Sequence, residues 1–85
     1  MSAGYVVVSK DLNGEILHFY IHWGSNRDEA IKQVKERSGC NDASVIKELD
    51  LKLLETWKTA IDLLDGITFS EGGTIEVTAW ANTNY

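Results

Sequence analysis

The sequence contains no proline and only one cysteine, Cys40, among its 85 residues. A chain without proline has no rigid proline-rich linker, and a lone cysteine excludes an internal disulfide. Long apolar runs are also missing: the one near the amino terminus, residues 5–8, is too short for a signal peptide or a membrane span. We therefore expect a cytoplasmic protein in a reducing compartment, without membrane contact.

Basic residues are scarce as well. Eight lysines and arginines are outnumbered by 13 aspartates and glutamates, which gives a formal net charge of -5. This balance disfavours nonspecific binding to nucleic acid or to an anionic membrane, and it is compatible with a basic protein partner. Hydrophobic residues make up 44% of the chain and charged residues 25%, which is typical of a globular protein. At this length we expect residues 1–85 to form a single domain.

Two stretches rich in β-branched and aromatic residues, 5–10 and 15–23, flank the pair Asn13-Gly14. Both residues of the pair tolerate positive φ, so a β-hairpin with a two-residue type I′ turn is predicted. The opposite pairs in this register include Leu12 with Glu15 and Val8 with Phe19. Strand alternation then gives a core face with Val6, Val8, Leu17, Phe19 and Ile21. The other face is amphipathic and aromatic, with Tyr5, Val7, Ser9, Ile16, His18, Tyr20 and His22.

A short helix is predicted after the hairpin. Asn26 and Glu29 have the spacing of a capping box, and Ser25 with Asp28 offers an equivalent start one residue earlier. Gly39 suits the position just after a helix that ends near residue 38. The apolar stripe of this helix is narrow and consists of Ala30, Ile31 and Val34. We expect the helix to lie on the surface with one narrow contact line.

Residues 44–65 have the strongest helical period in the chain. Apolar residues recur there at steps of three and four: Ile46, Leu49, Leu53, Trp57, Ala60 and Leu64. This pattern predicts a long amphipathic helix at the centre of the core, with Trp57 as an anchor. Asp50 interrupts the apolar stripe, and three interpretations remain open. The helix breaks and Asp50 caps a second helix from Leu51, or Asp50 lies at the rim of a continuous helix, or it is a half-buried functional acid.

The last part of the chain predicts further strands. Residues 67–69 are a short apolar alternation, residues 70–73 a turn, and residues 74–81 alternate cleanly between apolar and polar side chains. The predicted order of elements is therefore ββααββ. We expect an α+β fold of two layers, with an antiparallel sheet of about four strands and both helices packed on one face of it.

The sequence offers no convincing catalytic, metal or cofactor site. His18 and His22 lie four apart on a strand, roughly 13 Å by strand rise, so one ion cannot join them. Ser9 opposite His18 is the only nucleophile–base pair that can be placed, and no oxyanion donor accompanies it. Residues 71–74 are acidic and lead into a strand, which excludes a phosphate-binding loop. We therefore expect a non-enzymatic protein without metal or cofactor.

The aromatic face of the hairpin is the candidate binding surface. We predict that it binds protein through Tyr5, His18, Tyr20, His22, Glu76 and Trp80. Tyrosine and tryptophan suit protein interfaces because they bury a large area and keep a polar group. Nucleic acid is disfavoured because the face lacks cations. If this face is merely solvated, the acidic side of the long helix, around Glu48, Glu55 and Asp62, is the second candidate.

These observations favour a small acidic protein-binding module that inhibits or regulates a larger cytosolic target. We expect that target to have a basic groove in which the module binds. In size and charge the chain is similar to small α/β inhibitors carried by phages and mobile elements, such as anti-CRISPR proteins, and this likeness assigns no residue. One alternative is a homodimer that binds a small molecule between sheets through Tyr5, Tyr20 and His18. Another is an accessory subunit or domain of an enzyme.

Overall fold

The computed structural model describes residues 2–65 and 69–77. Its elements are β1 (Gly4–Lys10), β2 (Ile16–Trp23), α1 (Arg27–Ser38), β3 (Asp42–Leu49), α2 (Leu51–Asp65) and β4 (Thr74–Glu76). The four strands form one antiparallel sheet in the order β3-β1-β2-β4. The predicted α+β class and four-stranded antiparallel sheet are confirmed. The predicted ββααββ order is wrong, because the order is ββαβαβ.

The first hairpin has the predicted register from Tyr5 to Ser9 but a different turn. Asp11, not Leu12, lies opposite Glu15, so the predicted Leu12–Glu15 pair is wrong. Gly14 N donates to Asp11 O at 3.0 Å and Asp11 N donates to Glu15 O at 2.9 Å, so the loop has three residues rather than two. Within this loop, Gly14 has positive φ, at 80°, and Asn13 does not. The Asp11 carboxylate favours this loop, since its Oδ1 accepts from Asn13 N and Glu15 N at 2.8 and 2.9 Å. The predicted type I′ turn is therefore wrong.

An irregularity in β2 preserves the register beyond the turn. Ser9 pairs with His18, whereas Lys10 pairs with Ile16, so Leu17 is an extra residue on β2. This bulge offsets the longer loop, and Val8 lies opposite Phe19 as predicted. It also leaves Leu17 exposed, although the alternation had placed that residue on the core face.

Residues 42–49 form a strand where the sequence predicted the first part of a long helix. This segment pairs with β1 along its whole length, and its β-branched Val45 and Ile46 suit a strand. Asp50 then begins α2, since its Oδ1 accepts from Leu53 N at 2.8 Å and its backbone oxygen from Leu54 N at 2.9 Å. The capping role of Asp50 is thus confirmed, and the continuous helix is wrong.

Helix α1 has the predicted ends. Asn26 Oδ1 accepts from Glu29 N at 3.0 Å at the beginning of the helix. Gly39, in the left-handed region with φ of 71°, donates its N–H to Lys35 O at the end. The narrow stripe is confirmed as well, because Ala30 and Val34 are fully buried.

The two helices cover opposite faces of the sheet, so the predicted packing on one face is wrong. One core cluster, on the α2 side, contains Val6, Ile21, Leu49, Leu54, Ile61, Phe69 and Val77, with Trp57 half-buried against it. The other, on the α1 side, contains Tyr5, Val7, Tyr20, Ala30, Val34 and Ala43. Small α1 side chains let that helix lie close to the two tyrosines. Within the described residues, neither helix has the length and apolar character needed to cross a bilayer.

Candidate functional site

The face predicted to bind protein is largely covered by α1 of the same chain. Tyr5 and Tyr20 are each 4% exposed and belong to the core cluster on the α1 side, and His22 is 2% exposed. Tyr5 also uses its hydroxyl within the chain, as a donor to Ser25 O at 2.9 Å. These three side chains are therefore core residues and are not available as an open binding surface. The prediction failed because the thin stripe of α1 was assigned too little contact.

Two of the predicted site residues remain at the surface. His18 Nδ1 and Glu76 Oε1 lie 2.6 Å apart, with the two side chains 49% and 37% exposed. The His18 ring also meets Tyr20 edge-on, with ring centroids 6.5 Å apart. An exposed pair of this kind adds little to stability. Trp80, the last predicted site residue, lies outside the described residues.

Tyr20 is held in its neutral, protonated form. Burial raises the pKa of its hydroxyl, and Glu76 and Cys40 raise it further, while Arg37 opposes them. A phenol in this environment resists deprotonation. Tyr20 thus contributes apolar area to the core rather than a general base.

Ser9 and His18 are cross-strand partners as predicted, but they do not form a nucleophile–base pair. Ser9 is fully buried, and its Oγ has no hydrogen-bond partner among the described residues. The Nδ1 atom of His18 is directed to Glu76 instead. A substrate cannot reach a hydroxyl with no exposed surface, so this pair provides no catalytic centre.

A buried hydrogen-bond network surrounds His22, and the sequence pattern did not predict it. His22 Nδ1 lies 2.8 Å from Thr74 Oγ1, which donates to Gln33 Oε1 at 2.5 Å. Gln33 Nε2 donates to Glu29 Oε1 at 3.2 Å and to Gly72 O at 3.3 Å. The predicted alternation of residues 74–81, of which 78–81 lie outside the described residues, placed Thr74 on the polar side of its strand. Its partners, 52 and 41 residues away along the chain, have no local signal.

Next to this network, an open groove of about 490 Å³ runs between α1 and the turn before β4. It is lined by Glu29, Lys32, Gln33, Glu36, Arg37, Gly72 and Gly73. The side chains in the groove have both signs of charge, so it favours neither an anion nor a cation. Within residues 2–65 and 69–77, no three His, Cys, Asp or Glu side chains come together in a way that suits a metal ion.

The tip of the β1–β2 hairpin exposes large apolar side chains. Leu12 is 97% exposed, Ile16 49% and Leu17 48%. All three lie within six residues: Leu12 is in the three-residue loop that the Asp11 carboxylate stabilises, and Ile16 and Leu17 begin the strand that follows it. The sequence contained this signal, but the predicted strand alternation placed Leu17 on the core face, and Leu12 was predicted only as the cross-strand partner of Glu15. Two other exposed leucines, Leu51 and Leu63, lie apart from each other on α2.

Comparison of the chain with models of protein families, with curated proteins and with solved structures finds no match.

Proposed function

We propose that this chain is a non-enzymatic protein-binding module that inhibits or regulates a larger cytosolic protein, and that the hairpin tip is its main contact. The observation behind this proposal is the exposure of Leu12, Ile16 and Leu17 together at one end of the sheet. Single exposed apolar residues are ordinary on protein surfaces, but a local group of three large ones is typical of an interaction site. We call residues 12, 16 and 17 the tip patch.

The tip patch is held in place before any partner binds. Asp11 Oδ1 accepts from two backbone N–H groups of the loop, and backbone hydrogen bonds join Asp11 to Gly14 and Glu15. A loop that is already ordered loses less conformational entropy on binding, so more of the contact free energy appears as affinity. The patch can therefore act as a small anchor despite its limited area.

The charge of the chain favours a basic rim on the partner. The net charge is -5, and the acidic residues nearest the patch along the chain are Asp11 and Glu15. Complementary charge around an apolar contact raises the association rate and the specificity more than the final affinity. We propose a partner with an apolar pocket bordered by lysine or arginine.

The alternative functions are affected differently by the geometry. A small-molecule site between two copies was predicted on Tyr5, Tyr20 and His18, and α1 already occupies the space over the two tyrosines. An accessory subunit of an enzyme remains compatible with the tip patch, because an enzyme is then the partner. The activity of the bound protein, measured with and without this chain, distinguishes the two functions. An inhibitor lowers that activity, whereas an accessory subunit supports it.

A photocrosslinking experiment tests the proposal. A photoreactive residue is placed at position 12 and, as a matched control, at position 63, where Leu63 is 80% exposed on α2. After exposure to lysate of the source organism, we expect a defined crosslinked protein from position 12 and none from position 63. Affinity for that protein is then measured by calorimetry with the double variant Leu12→Ser/Leu17→Ser and with Leu63→Ser.

The double variant should weaken binding by at least about 30-fold, which corresponds to the loss of one interface hot spot of about 2 kcal/mol. Leu63→Ser should stay within about twofold, and circular dichroism should show that all variants fold. The proposal is wrong if the folded double variant keeps wild-type affinity, or if both positions crosslink the same protein equally well. If position 12 crosslinks to a second copy of this chain and light scattering shows a dimer, the tip patch mediates self-association and the proposed protein target is wrong.

A further inference from the structure

The direction of each hydrogen bond in the His22 network fixes where the imidazole carries its proton. Glu29 Oε1 and Gly72 O are acceptors, so the Gln33 amide nitrogen lies on their side and its oxygen accepts from Thr74. The Thr74 hydroxyl has a single proton and uses it for Gln33. Thr74 Oγ1 must therefore accept from His22, and His22 carries its proton at Nδ1.

The second nitrogen of the ring lies in a confined place. A Cβ built on Gly24 would be only 2.7 Å from His22 Nε2, so the backbone of Gly24 approaches this atom closely. With His22 only 2% exposed, water has little access to the ring. Protonation of Nε2 would put a positive charge where the closed structure leaves it poorly hydrated.

Side chains from three neighbouring elements, α1, β1 and β4, lie near the His22 ring. On α1, Glu29 and Gln33 favour the imidazolium form. On β1 the cross-strand partner is Tyr5, and on β4 it is Thr74, and neither brings a carboxylate or an amine to the ring. Burial is the largest effect and lowers the pKa of His22 in spite of Glu29.

The same network fastens the end of the described chain to the rest of the fold. The segment from residue 72 to residue 77 pairs with β2 through Gly72 N to Trp23 O, Trp23 N to Gly73 O and Val77 N to Phe19 O. Its side-chain links to β2 and α1 pass through Thr74 and Gly72. β4 itself has only three residues, and Phe69 and Val77 on either side of it are buried in the core cluster on the α2 side. The His22 network therefore adds to this packing and to the pairing with β2 in holding the segment.

We propose that His22 is a pH-dependent latch: protonation of its Nε2 in mildly acidic solution releases β4 and the turn before it from β2 and α1. Release breaks the bond from Gln33 to Gly72 and separates the two walls of the groove. The charged imidazolium is then hydrated by water that cannot reach it while β4 is paired with β2. The rest of the sheet, β3-β1-β2, stays paired because its ladder is formed by backbone groups and does not use the His22 side chain.

Amide hydrogen exchange followed by NMR at pH 7.5 and pH 5.0 tests the latch, with protection factors corrected for intrinsic exchange. In the closed form β4 is paired with β2, and in the open form β4 is released. If the closed form binds no proton at His22 and the open form has the ordinary imidazole pKa of about 6.5, the equilibrium constant for opening rises by up to about 30-fold between pH 7.5 and pH 5.0. We therefore expect the protection of the Gly72 and Val77 amides to fall by up to this factor. Amides of β1 bonded to β3 should keep theirs.

Two variants of the same strand separate the latch from general acid instability. His22→Asn keeps a donor near Thr74 but cannot titrate, so it should abolish the pH-dependent loss of protection. His18→Asn removes the exposed histidine and should leave that loss unchanged. The latch is refuted if His22→Asn shows the same loss as wild type, or if β1 opens together with β4.

Long-range ¹H–¹⁵N spectra of the wild-type imidazoles give a second measurement that does not depend on a variant folding. We expect a neutral His22 ring with its proton on Nδ1, and titration below the ordinary range. A proton on Nε2, or titration at or above the ordinary imidazole value, overturns the proposal. Since the tip patch takes no part in this network, the latch and the proposed binding function are tested independently.

Discussion

Gly4 lies where β1 meets both β2 and α2, and it has no room for a side chain. A Cβ at this position would be 2.6 Å from the carbonyl oxygen of His22 and 3.0 Å from Leu54 Cδ1. The first contact is with backbone and cannot be relieved by a rotamer change, so either β1 and β2 separate or the sheet moves from α2. Gly4→Ala therefore tests whether α2 packs on this face of the sheet.

The size of the effect follows from two opposing terms. Overpacking of a core by one methyl group typically costs about 1–3 kcal/mol. Replacement of glycine by alanine also restricts the unfolded chain, which returns about 0.4–1 kcal/mol. We expect a net loss of about 1–2 kcal/mol from a free energy of unfolding on the order of 4–13 kcal/mol for a chain of 85 residues.

A double-mutant cycle with Leu54→Ala, followed by urea unfolding, isolates the contact with α2. Leu54→Ala alone should cost about 2–5 kcal/mol, because the side chain is fully buried. In the double variant the leucine methyl is gone, so the combined loss should be smaller than the sum by at least about 0.5 kcal/mol. Strict additivity, or a Gly4→Ala variant as stable as wild type, would refute the packing of α2 against β1 at Gly4.

Three further predictions concern single residues. Tyr20→Ala should cost about 3–5 kcal/mol in thermal or urea unfolding, because Tyr20 is a core residue beneath α1, while exposed His18→Ala should stay within about 0.5 kcal/mol; equal small effects would return Tyr20 to the surface. Asp50→Ala should cost about 1 kcal/mol by removing the cap of α2, and Asp50→Ser should restore most of it, so an Asp50→Ala variant with unchanged stability would argue against the break before Leu51. Burial lowers the pKa of His22 in the folded chain, so the unfolded chain binds more protons below about pH 6.5 and the free energy of unfolding should fall there as pH drops; a titration of stability with pH in which His22→Asn keeps the wild-type slope would contradict this.

Local signals in the sequence predicted the elements that local chemistry determines. Asn26 and Gly39 define the ends of α1 through hydrogen bonds within a few residues, and both were predicted correctly. The hairpin register was predicted from a two-residue turn at Asn13-Gly14, and it holds up to Ser9 because the bulge at Leu17 offsets the longer loop. The turn type depended on the Asp11 side chain, which competes with the Asn13-Gly14 preference. Nearby residues thus determine where an element lies more reliably than how its loop closes.

The local sequence pattern of β3 does not distinguish a strand from a helix. Ile46 and Leu49 lie three apart and fit a helical stripe, but over so short a segment the helical and strand periods cannot be told apart. Pairing with β1, about 40 residues away along the chain, decides in favour of the strand. Because β3 interrupts the expected long helix, the predicted order of elements changed from that point onward.

The candidate site was predicted poorly for a related reason. The hairpin has two faces rich in apolar residues, and the sequence does not say which face a helix will cover. In the structure both are covered, so Tyr5 and Tyr20 lie in the core. Leu17 is exposed instead, because it is the extra residue of a β-bulge that the local sequence did not predict.

The most direct test of the proposed function is an NMR footprint of the bound partner on the isotope-labelled chain. The partner is the protein captured from position 12, added unlabelled. We predict that the signals of Leu12, Ile16 and Leu17 change, while the ring signals of Tyr5 and Tyr20 keep their free positions. Changes centred on Tyr20 and His18, with an unaffected tip patch, would contradict the account and restore the aromatic face as the binding surface.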